Sequence, residues 1–167
     1  SSSKISNIEL AICLVKKNPM EIILQKATEL GISKITPIIS ERTEIKDLNF
    51  DRAKKIVIES TEQSNQLHPP QISKITRLED YIKNFNIESE LLFADVNAKN
   101  NLKDIKLKVN NSKSLLIGPE GDFSPDERNL ILSKENTISF SLSKNILRTD
   151  TAAIGAITIL NYHLNFK

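Results

Sequence analysis

The sequence has very few of the residues from which disulfides and metal sites are built. It contains one cysteine, Cys13, and two histidines in 167 residues. A single thiol cannot form an internal disulfide, and one cysteine with two histidines supplies too few ligands for a structural zinc site. We therefore predict no bound metal, a buried position for Cys13 within its apolar run, and a reducing, cytoplasmic environment.

Long apolar segments are also absent. No run approaches the roughly 18 apolar residues that a membrane-spanning helix requires. The sequence does not open with the charged and apolar regions of a signal peptide. We expect a chain with no membrane association, of a length that suits one domain with a substantial core.

Aromatic residues and strong charge, two marks of nucleic-acid-binding surfaces, are scarce. There is no tryptophan, aromatic residues make up 5% of the sequence, and the net charge is +2 with dispersed lysines. A base-stacking platform for single strands is therefore poorly supplied. The small positive charge neither indicates nor excludes a nucleic-acid partner. The chain also has no Gly-x-Gly-x-x-Gly fingerprint and no phosphate-binding Gly-Lys-Ser/Thr loop.

The sequence does contain a regular alternation of apolar, strand-like segments and amphipathic, helix-like segments. Predicted strands cover 8–15, 33–39, 71–75, 90–95, 113–118 and 136–142. Predicted helices cover 18–30, 51–66, a stretch after residue 76, a stretch after residue 124, and 149–165. Strands separated by helices predict a parallel-rich α/β sheet covered by helices on both faces. The Asn-rich segment 97–111 is predicted to be a loop.

Three helix starts share the spacing of a capping box, in which an N-cap side chain is followed three residues later by glutamate. These pairs are Asn18 with Glu21, Thr76 with Glu79, and Ser124 with Glu127.

The turn "GPEGDFSPDE" follows the predicted strand 113–118 and precedes a helix. Such units lie at the carboxyl ends of parallel strands, where α/β proteins bind ligands. Gly118 and Gly121 are predicted to adopt backbone shapes that other residues avoid, and Pro119 to stiffen the turn. The acidic residues of the turn are Glu120, Asp122, Asp126 and Glu127.

These acidic side chains limit which ligand the turn accepts. At about 4 Å, two like charges repel by several kcal/mol at an effective dielectric constant of about 20. A phosphate is therefore disfavoured, and a cationic ligand without phosphate, such as S-adenosylmethionine, is favoured. The alternative is that the acidic residues only stabilise the helix dipole or face solvent.

A second strand–loop–helix unit, "FSLSKNILRTDTAA", has large apolar residues inside its loop. Ile146 and Leu147 are costly to expose, so we predict that they line a pocket or a partner surface. Arg148 follows them and could bind a phosphate or stabilise negative charge on a substrate. It could instead only pair with Asp150 or Glu120, and the neighbouring threonine could merely cap the last helix.

Four segments, in this order, resemble the RsmE family, the ribosomal RNA uridine-N3 methyltransferases of the SPOUT superfamily. They are "KKNPMEIILQKATELGISKITPIISERT", "ESTEQSNQLHPP", "LLIGPEGDFSPDE" and "LSKNILRTDTAA". They are similar to the family's Lys-Ala-Thr-Glu-Leu-Gly helix, its Glu-Gln-Ser segment, its Gly-Pro-Glu-Gly loop and its Ile-Leu-Arg-Thr-Glu-Thr-Ala loop. Together they span about residues 16–155; each motif alone has low to moderate specificity, and the ordered set is strong.

This resemblance implies a SPOUT-type α/β domain with a trefoil knot, a homodimer, and S-adenosylmethionine bound by three loops. The family's N-terminal, PUA-like RNA-binding barrel has no counterpart here, so residues 1–167 are expected to be the methyltransferase domain alone. The implied reaction is methylation of N3 of a uridine in 16S ribosomal RNA of the small subunit, a step of ribosome biogenesis. Cofactor contacts carried over from the family's loops fall on Phe93, Ile117, Gly118, Pro119, Gly121, Leu142, Ser143, Lys144, Asn145, Ile146 and Leu147.

The implied reaction also assigns roles to polar residues. Methylation of a uridine nitrogen requires loss of the N–H proton and stabilisation of negative charge on the flanking carbonyl oxygens. Arg148 is predicted to stabilise that charge and to contact RNA, while Glu120 or Asp150 accepts the proton or orients Arg148. Arg42 and Gln63 are predicted RNA contacts, although Gln63 could simply belong to a polar helix face.

The sequence departs from the family pattern at four places. Asp122 stands where a third glycine is usual, and Ser143-Lys144-Asn145 replaces a Gly-Pro-Arg-like stretch. Asp150 replaces glutamate, and Gln66 stands where arginine is common. Loss of arginine at two positions predicts weaker RNA binding. The changed third loop leaves a second hypothesis open, a non-catalytic dimeric domain of this fold that binds RNA or another ligand.

Overall fold

Seven strands pair in one sheet in the computed structural model, which describes residues 7–108 and 111–166. The strands are β1 (Ile8–Cys13), β2 (Lys34–Ile39), β3 (Gln71–Ile72), β4 (Thr76–Arg77), β5 (Glu90–Ala94), β6 (Lys113–Ile117) and β7 (Thr137–Phe140). Their order is β3-β2-β1-β6-β5-β7, and β4 pairs with the carboxyl end of β2. Every pair is parallel, which confirms the predicted parallel α/β sheet.

Helices cover both faces of this sheet, as predicted. The helices of the described residues are α1 (Lys17–Glu29), α2 (Phe50–Gln63), α3 (Leu78–Lys83), α4 (Pro125–Leu132) and α5 (Thr149–Phe166). Successive strand side chains point to opposite faces. Leu10 and Ile12 therefore join the core under α1, α2 and α5, whereas Ala11 and Cys13 join the core under α3 and α4. None of these helices is long and apolar enough to cross a membrane.

The predicted cap of α1 is wrong. The helix begins at Lys17, the carbonyl of Lys16 accepts the N–H of Met20 at 3.0 Å, and no side chain caps it. Asn18 therefore lies inside the first turn, where Pro19 is tolerated because its missing N–H would have no partner within the helix. The predicted end is confirmed, since Gly31 has a φ of +85° in the left-handed region.

The other two predicted caps have opposite outcomes. Thr76 does not cap α3, because it pairs with Ile38 in the sheet and Arg77 takes the N-cap position. Ser124 forms the predicted capping box at α4, with its hydroxyl on the N–H of Glu127 and the Glu127 carboxylate on the Ser124 N–H.

The predicted strand 71–75 and the predicted loop 97–111 also differ in detail. β3 and β4 are two short strands that pair with opposite ends of β2 rather than one continuous strand. Among the described residues of the loop, 97–108 and 111, a 3₁₀ helix forms at Leu102–Asp104. Leu102 is buried in the core under α1, α2 and α5. Asn101 bridges to Ser141 and so connects this segment to the end of β7.

The carboxyl ends of three neighbouring strands, β6, β5 and β7, lie at one edge of the sheet. The chain leaves β6 toward α4 on one face, and it leaves β7 toward α5 on the other face. The connection 141–148 must therefore cross this edge. Ligands of parallel α/β sheets bind at such edges, so this is where the functional site is expected.

Candidate functional site

The turns after β6 and β7 enclose one cleft at this edge, with a volume of about 210 Å³. The turn after β5 forms its third wall. We call the turns after β5, β6 and β7 the first, second and third loops. The lining residues at or beside the first loop are Ala94, Asp95 and Val96, and those of the second are 117–122. Those at or beside the third are Leu142, Ser143, Asn145, Ile146, Leu147, Thr149 and Ala152. The two turns that the sequence singles out therefore lie together, as expected for a shared ligand site.

All the predicted cofactor contacts line this cleft except Phe93 and Lys144. Phe93 is 1% exposed and belongs to the core under α3 and α4, where its ring packs 5.8 Å from the ring of Phe123. Lys144 is exposed at the tip of the third loop. Ile146 is 82% exposed although it borders the cleft, so the prediction that it lies at a pocket or partner surface fits its position.

Asp95 is a lining residue that the sequence analysis missed. Its buried carboxylate accepts two N–H donors of Arg128, at 2.7 Å from Nη2 and 3.2 Å from Nε, and its other oxygen accepts the N–H of Asn97 at 3.0 Å. These bonds fix the turn after β5 against α4. The signal was available, because Asp95 directly follows a strand that ends at the ligand-binding edge.

The turn after β6, residues 118–122, is called the glycine turn below, and its backbone geometry differs from the one predicted. Neither Gly118 nor Gly121 has positive φ; Asp122 does, at +63°. Gly118 is needed for space instead, since a Cβ there would lie 3.0 Å from the ring of Phe123. Aspartate tolerates the left-handed region better than most residues. The Asp122 carboxylate accepts the Phe123 N–H at 2.8 Å, which stabilises this conformation.

Two side chains from distant parts of the chain hold the backbone of this turn. The Thr149 hydroxyl donates to the Gly118 carbonyl at 3.3 Å, and the Arg42 guanidinium donates to the Gly121 carbonyl at 3.0 Å. Within the turn, the Asp122 N–H donates to the Pro119 carbonyl at 2.9 Å. The turn is thus anchored at both of its glycines.

The walls of the cleft are acidic. Asp95, Glu120 and Asp122 line it, and the described lining includes no lysine, arginine or histidine. Asp95 is neutralised by Arg128, whereas neither Glu120 nor Asp122 has a cation within ion-pair distance among the side chains that the structure describes. The cleft therefore disfavours phosphates and favours a ligand with positive charge.

Of the three predicted catalytic residues, the structure places only Glu120 in the lining of the cleft. Glu120 is exposed and lines it, whereas Arg148 and Asp150 flank the lining residues Leu147 and Thr149. The Arg148 Nε donates to the Asp150 carboxylate at 3.3 Å, the ion pair considered as an alternative role. Arg148 remains 67% exposed, so its other N–H groups are available to a substrate.

Of the predicted RNA contacts, Arg42 and Arg148 both adjoin residues that line the cleft, whereas Gln63 does not. Arg42 lies beside the glycine turn, but Gln63 lines a separate groove between α1 and α2, with Glu21 and Arg52. Gln66 donates to the Glu29 carbonyl at 3.1 Å and so supports the end of α1. No group of three metal-ligating side chains occurs among the residues that the structure describes.

Comparisons with known proteins point in one direction. A family model described as an RNA methyltransferase domain matches residues 1–161. A ribosomal RNA small subunit methyltransferase E from Rickettsia conorii is 41% identical over 155 residues, which are 91% of this chain and 63% of that protein. A ribosomal RNA small subunit methyltransferase E 1 from Borreliella burgdorferi is 30% identical over 166 residues, 95% of this chain and 68% of that protein.

A solved structure is similar over most of the chain. The ribosomal RNA small subunit methyltransferase E from Neisseria gonorrhoeae, bound to S-adenosyl methionine, matches with a TM-score of 0.86 and 29% identity. The match covers 93% of this chain and 65% of that one. This chain thus spans somewhat less than two thirds of the Rickettsia and Neisseria proteins.

Proposed function

Because the chain belongs to the RNA methyltransferase domain family, and within it to the ribosomal RNA small subunit methyltransferases E, we propose that it methylates small-subunit ribosomal RNA. The methyl donor is S-adenosylmethionine, and the acceptor is N3 of a uridine in 16S ribosomal RNA. Residues 1–167 constitute the methyltransferase domain, and the location is cytoplasmic.

The cleft carries this proposal. Three loops at the carboxyl ends of adjacent parallel strands enclose it, and two of its lining carboxylates, Glu120 and Asp122, form no ion pair with the side chains that the structure describes. A nucleotide phosphate would be repelled there, whereas a cationic cofactor would be attracted. The related Neisseria structure holds S-adenosyl methionine on a similar fold, which supports the same cofactor here.

The residues present fit this cofactor. Apolar side chains of Ile117, Leu142 and Leu147 line the cleft beside exposed backbone of the glycine turn. Such a surface suits an adenine base, with backbone groups available for hydrogen bonds. Glu120 and Asp122 would lie near the cofactor's ammonium or sulfonium group. When bound, S-adenosylmethionine would supply an electrophilic methyl group, and the electrons of the broken S–C bond would remain on sulfur.

Glu120, Asp150 and Arg148 would accept the proton of the acceptor base and stabilise its negative charge. Uridine N3 uses its electron pair for the new N–C bond and must release its proton. Glu120 is the favoured acceptor, because it borders the cleft and forms no ion pair among the described side chains, whereas Asp150 already accepts from Arg148. Asp150 then orients Arg148, whose free N–H groups stabilise negative charge on the carbonyl oxygens of the uracil ring.

The active form is a homodimer with a knotted chain. Exposed apolar side chains, Ile22 on α1 and Ile159 on the adjoining α5, offer a surface for a second copy. The crossing of 141–148 between the two faces of the sheet, held against Gly118 by Thr149, supports the trefoil knot.

Calorimetry with S-adenosylmethionine and a methyl-transfer assay on small ribosomal subunits test the proposal. We expect cofactor binding that nucleoside triphosphates do not compete with, and a methyl group that mass spectrometry locates on N3 of one uridine. RNA affinity should be weak, because the sequence has a net charge of only +2. Failure to bind S-adenosylmethionine would contradict the proposed function. Binding without transfer would favour the non-catalytic alternative that the altered 143–145 loop suggests.

A further inference from the structure

The turn after β2 reaches the glycine turn at two points. The Arg42 guanidinium donates to the Gly121 carbonyl at 3.0 Å through Nη1. The neighbouring N–H of Glu41 donates to the Glu127 carboxylate at 3.0 Å, and that carboxylate also accepts in the α4 capping box. Two successive residues of one turn thus hold both ends of the segment 121–127.

The turn that carries Arg42 is itself well fixed. The Ser40 N–H donates to the Thr43 hydroxyl oxygen at 3.0 Å, the two hydroxyls lie 2.6 Å apart, and the Thr43 N–H donates to the Ser40 carbonyl at 3.2 Å. Both residues are buried. Arg42 therefore projects from a rigid base, so its hydrogen bond can impose a position on the partner instead of following it.

The partner, Gly121, borders the cleft. The aliphatic stem of Arg42 packs against it, since a Cβ on Gly121 would lie 3.6 Å from the Arg42 Cβ and 3.7 Å from its Cδ. Asp122 follows in the left-handed region. The turn therefore includes a left-handed residue, which aspartate tolerates better than most, and hydrogen bonds from outside the turn hold the backbone next to it.

We propose that Arg42 is a positioning residue, which holds Gly121 in the conformation that binds the cofactor. This inference rests on the proposed function for the identity of the cofactor, but the anchoring itself does not. The sequence suggested Arg42 only as an RNA contact, and its remaining N–H groups stay exposed for that purpose.

The expected effect is a loss of pre-organisation. Without the guanidinium, the turn would sample other conformations, and the apparent affinity for the cofactor falls by the fraction of molecules that remain competent. Loss of one charge-assisted hydrogen bond at an exposed site corresponds to about a three- to tenfold change. The folded state as a whole should be little affected.

The first experiment measures S-adenosylmethionine affinity by calorimetry in the absence of RNA. Arg42→Met keeps an apolar stem against Gly121 and removes the donors, so we expect about three- to tenfold weaker binding. Arg42→Lys, which retains a donor, should recover part of the affinity. Arg52→Ala is the matched control: it removes an exposed arginine paired with Glu21, outside the lining of the cleft, and should not change the affinity.

The second experiment needs no cofactor. Hydrogen exchange at the Asp122 amide, which donates to the Pro119 carbonyl, should accelerate about three- to tenfold in Arg42→Met, with an unchanged Tm. Unchanged exchange would overturn the inference, and so would a loss of RNA affinity with cofactor affinity intact. If the wild-type protein binds no S-adenosylmethionine, the proposed function fails, while exchange still decides the role of Arg42.

Discussion

The hydroxyl of Thr149 donates a hydrogen bond of 3.3 Å to the carbonyl of Gly118. This bond joins the first residue of α5 to the turn after β6, although β5 lies between β6 and β7 in the sheet. It therefore spans the end of β5 and brings two walls of the cleft together. Sequence motifs 31 residues apart become one site through this contact.

Removal of the Thr149 hydroxyl should weaken the connection between these two walls of the cleft. In Thr149→Val the Gly118 carbonyl loses its donor, so we expect the free energy of unfolding to fall by about 1 kcal/mol. Affinity for S-adenosylmethionine should fall by about fivefold, because the two walls are no longer held together. Denaturant titration and calorimetry measure both. Thr149→Ser keeps the hydroxyl and should behave like wild type; equal losses in both variants would contradict the role of the hydrogen bond.

The two glycines of the turn should respond differently to alanine. A Cβ at Gly118 would lie 3.0 Å from the Phe123 ring, whereas one at Gly121 would make only ordinary contacts with Arg42. Gly118→Ala should therefore lower the free energy of unfolding by about 1–3 kcal/mol. Gly121→Ala should change it by no more than about 0.5 kcal/mol.

Urea denaturation of the two variants makes this comparison directly. Combining Gly118→Ala with Phe123→Leu separates steric strain from other effects, because a smaller side chain should relieve part of the Gly118→Ala penalty. Equal stabilities of the two alanine variants would show that the ring contact does not determine the requirement for glycine.

Arg148 should affect turnover far more than cofactor binding. It is 67% exposed, does not line the cleft, and retains free N–H groups beside its bond to Asp150. We expect Arg148→Ala to reduce methyl transfer by about 10²–10³-fold, as for removal of a donor to a developing negative charge. The dissociation constant of S-adenosylmethionine should stay within about twofold. Single-turnover transfer and calorimetry test this, and unchanged turnover would remove Arg148 from the mechanism.

The architecture could be predicted because its signals are local. In β1, Leu10 and Ala11 alternate between the two cores, and the apolar run around them already indicated a strand buried on both faces. Thr76 shows the limit of such signals. Its local sequence fits a helix cap, but pairing with Ile38 holds it in the sheet, and pairing with a distant strand leaves no local trace.

The features of the candidate site also fall into those with a local sequence signal and those that depend on distant contacts. The glycine turn and the apolar third loop were recognisable because each follows a strand and contains residues unusual for a loop. The contact of Arg42 with Gly121 was not recognisable, since it joins positions 79 residues apart. The left-handed Asp122 was also missed, because the neighbouring glycines offered a simpler explanation of the turn.

A buried ion pair at the amino ends of β5 and β6, away from the cleft, should be important for stability. Lys113 and Glu90 are paired neighbours on β6 and β5; their charged groups lie 3.1 Å apart, with side chains 3% and 8% exposed. Lys113→Met leaves a buried carboxylate without its cation, so we expect a loss of about 3–5 kcal/mol in the free energy of unfolding. The double variant Lys113→Met/Glu90→Gln should recover part of this loss, and a double-mutant cycle measures the coupling. Additive effects would contradict the buried pair.

Cys13 makes stability depend on alkaline pH. The thiol is fully buried, and burial raises its pKa from 9.0 to about 12, although a contact with the Ser40 hydroxyl opposes this shift. As the pH rises above about 9, the unfolded thiol loses its proton while the folded one keeps it. The unfolded state then binds fewer protons, so the free energy of unfolding must fall with pH, by at most about 1.4 kcal/mol per pH unit.

Urea denaturation of wild type and Cys13→Ala between about pH 8 and pH 10 isolates this dependence. The alanine variant has a constant cavity penalty but no thiol, so its stability should decline less steeply over this range. The Tyr81 hydroxyl has its pKa raised well above 10 by burial, and it adds a decline of the same sign at higher pH in both proteins. Because ionisation requires exposure, native Cys13 should also resist alkylation at pH 8, whereas the urea-unfolded chain should react completely. Parallel pH profiles, or rapid alkylation of the folded protein, would contradict the burial of this thiol.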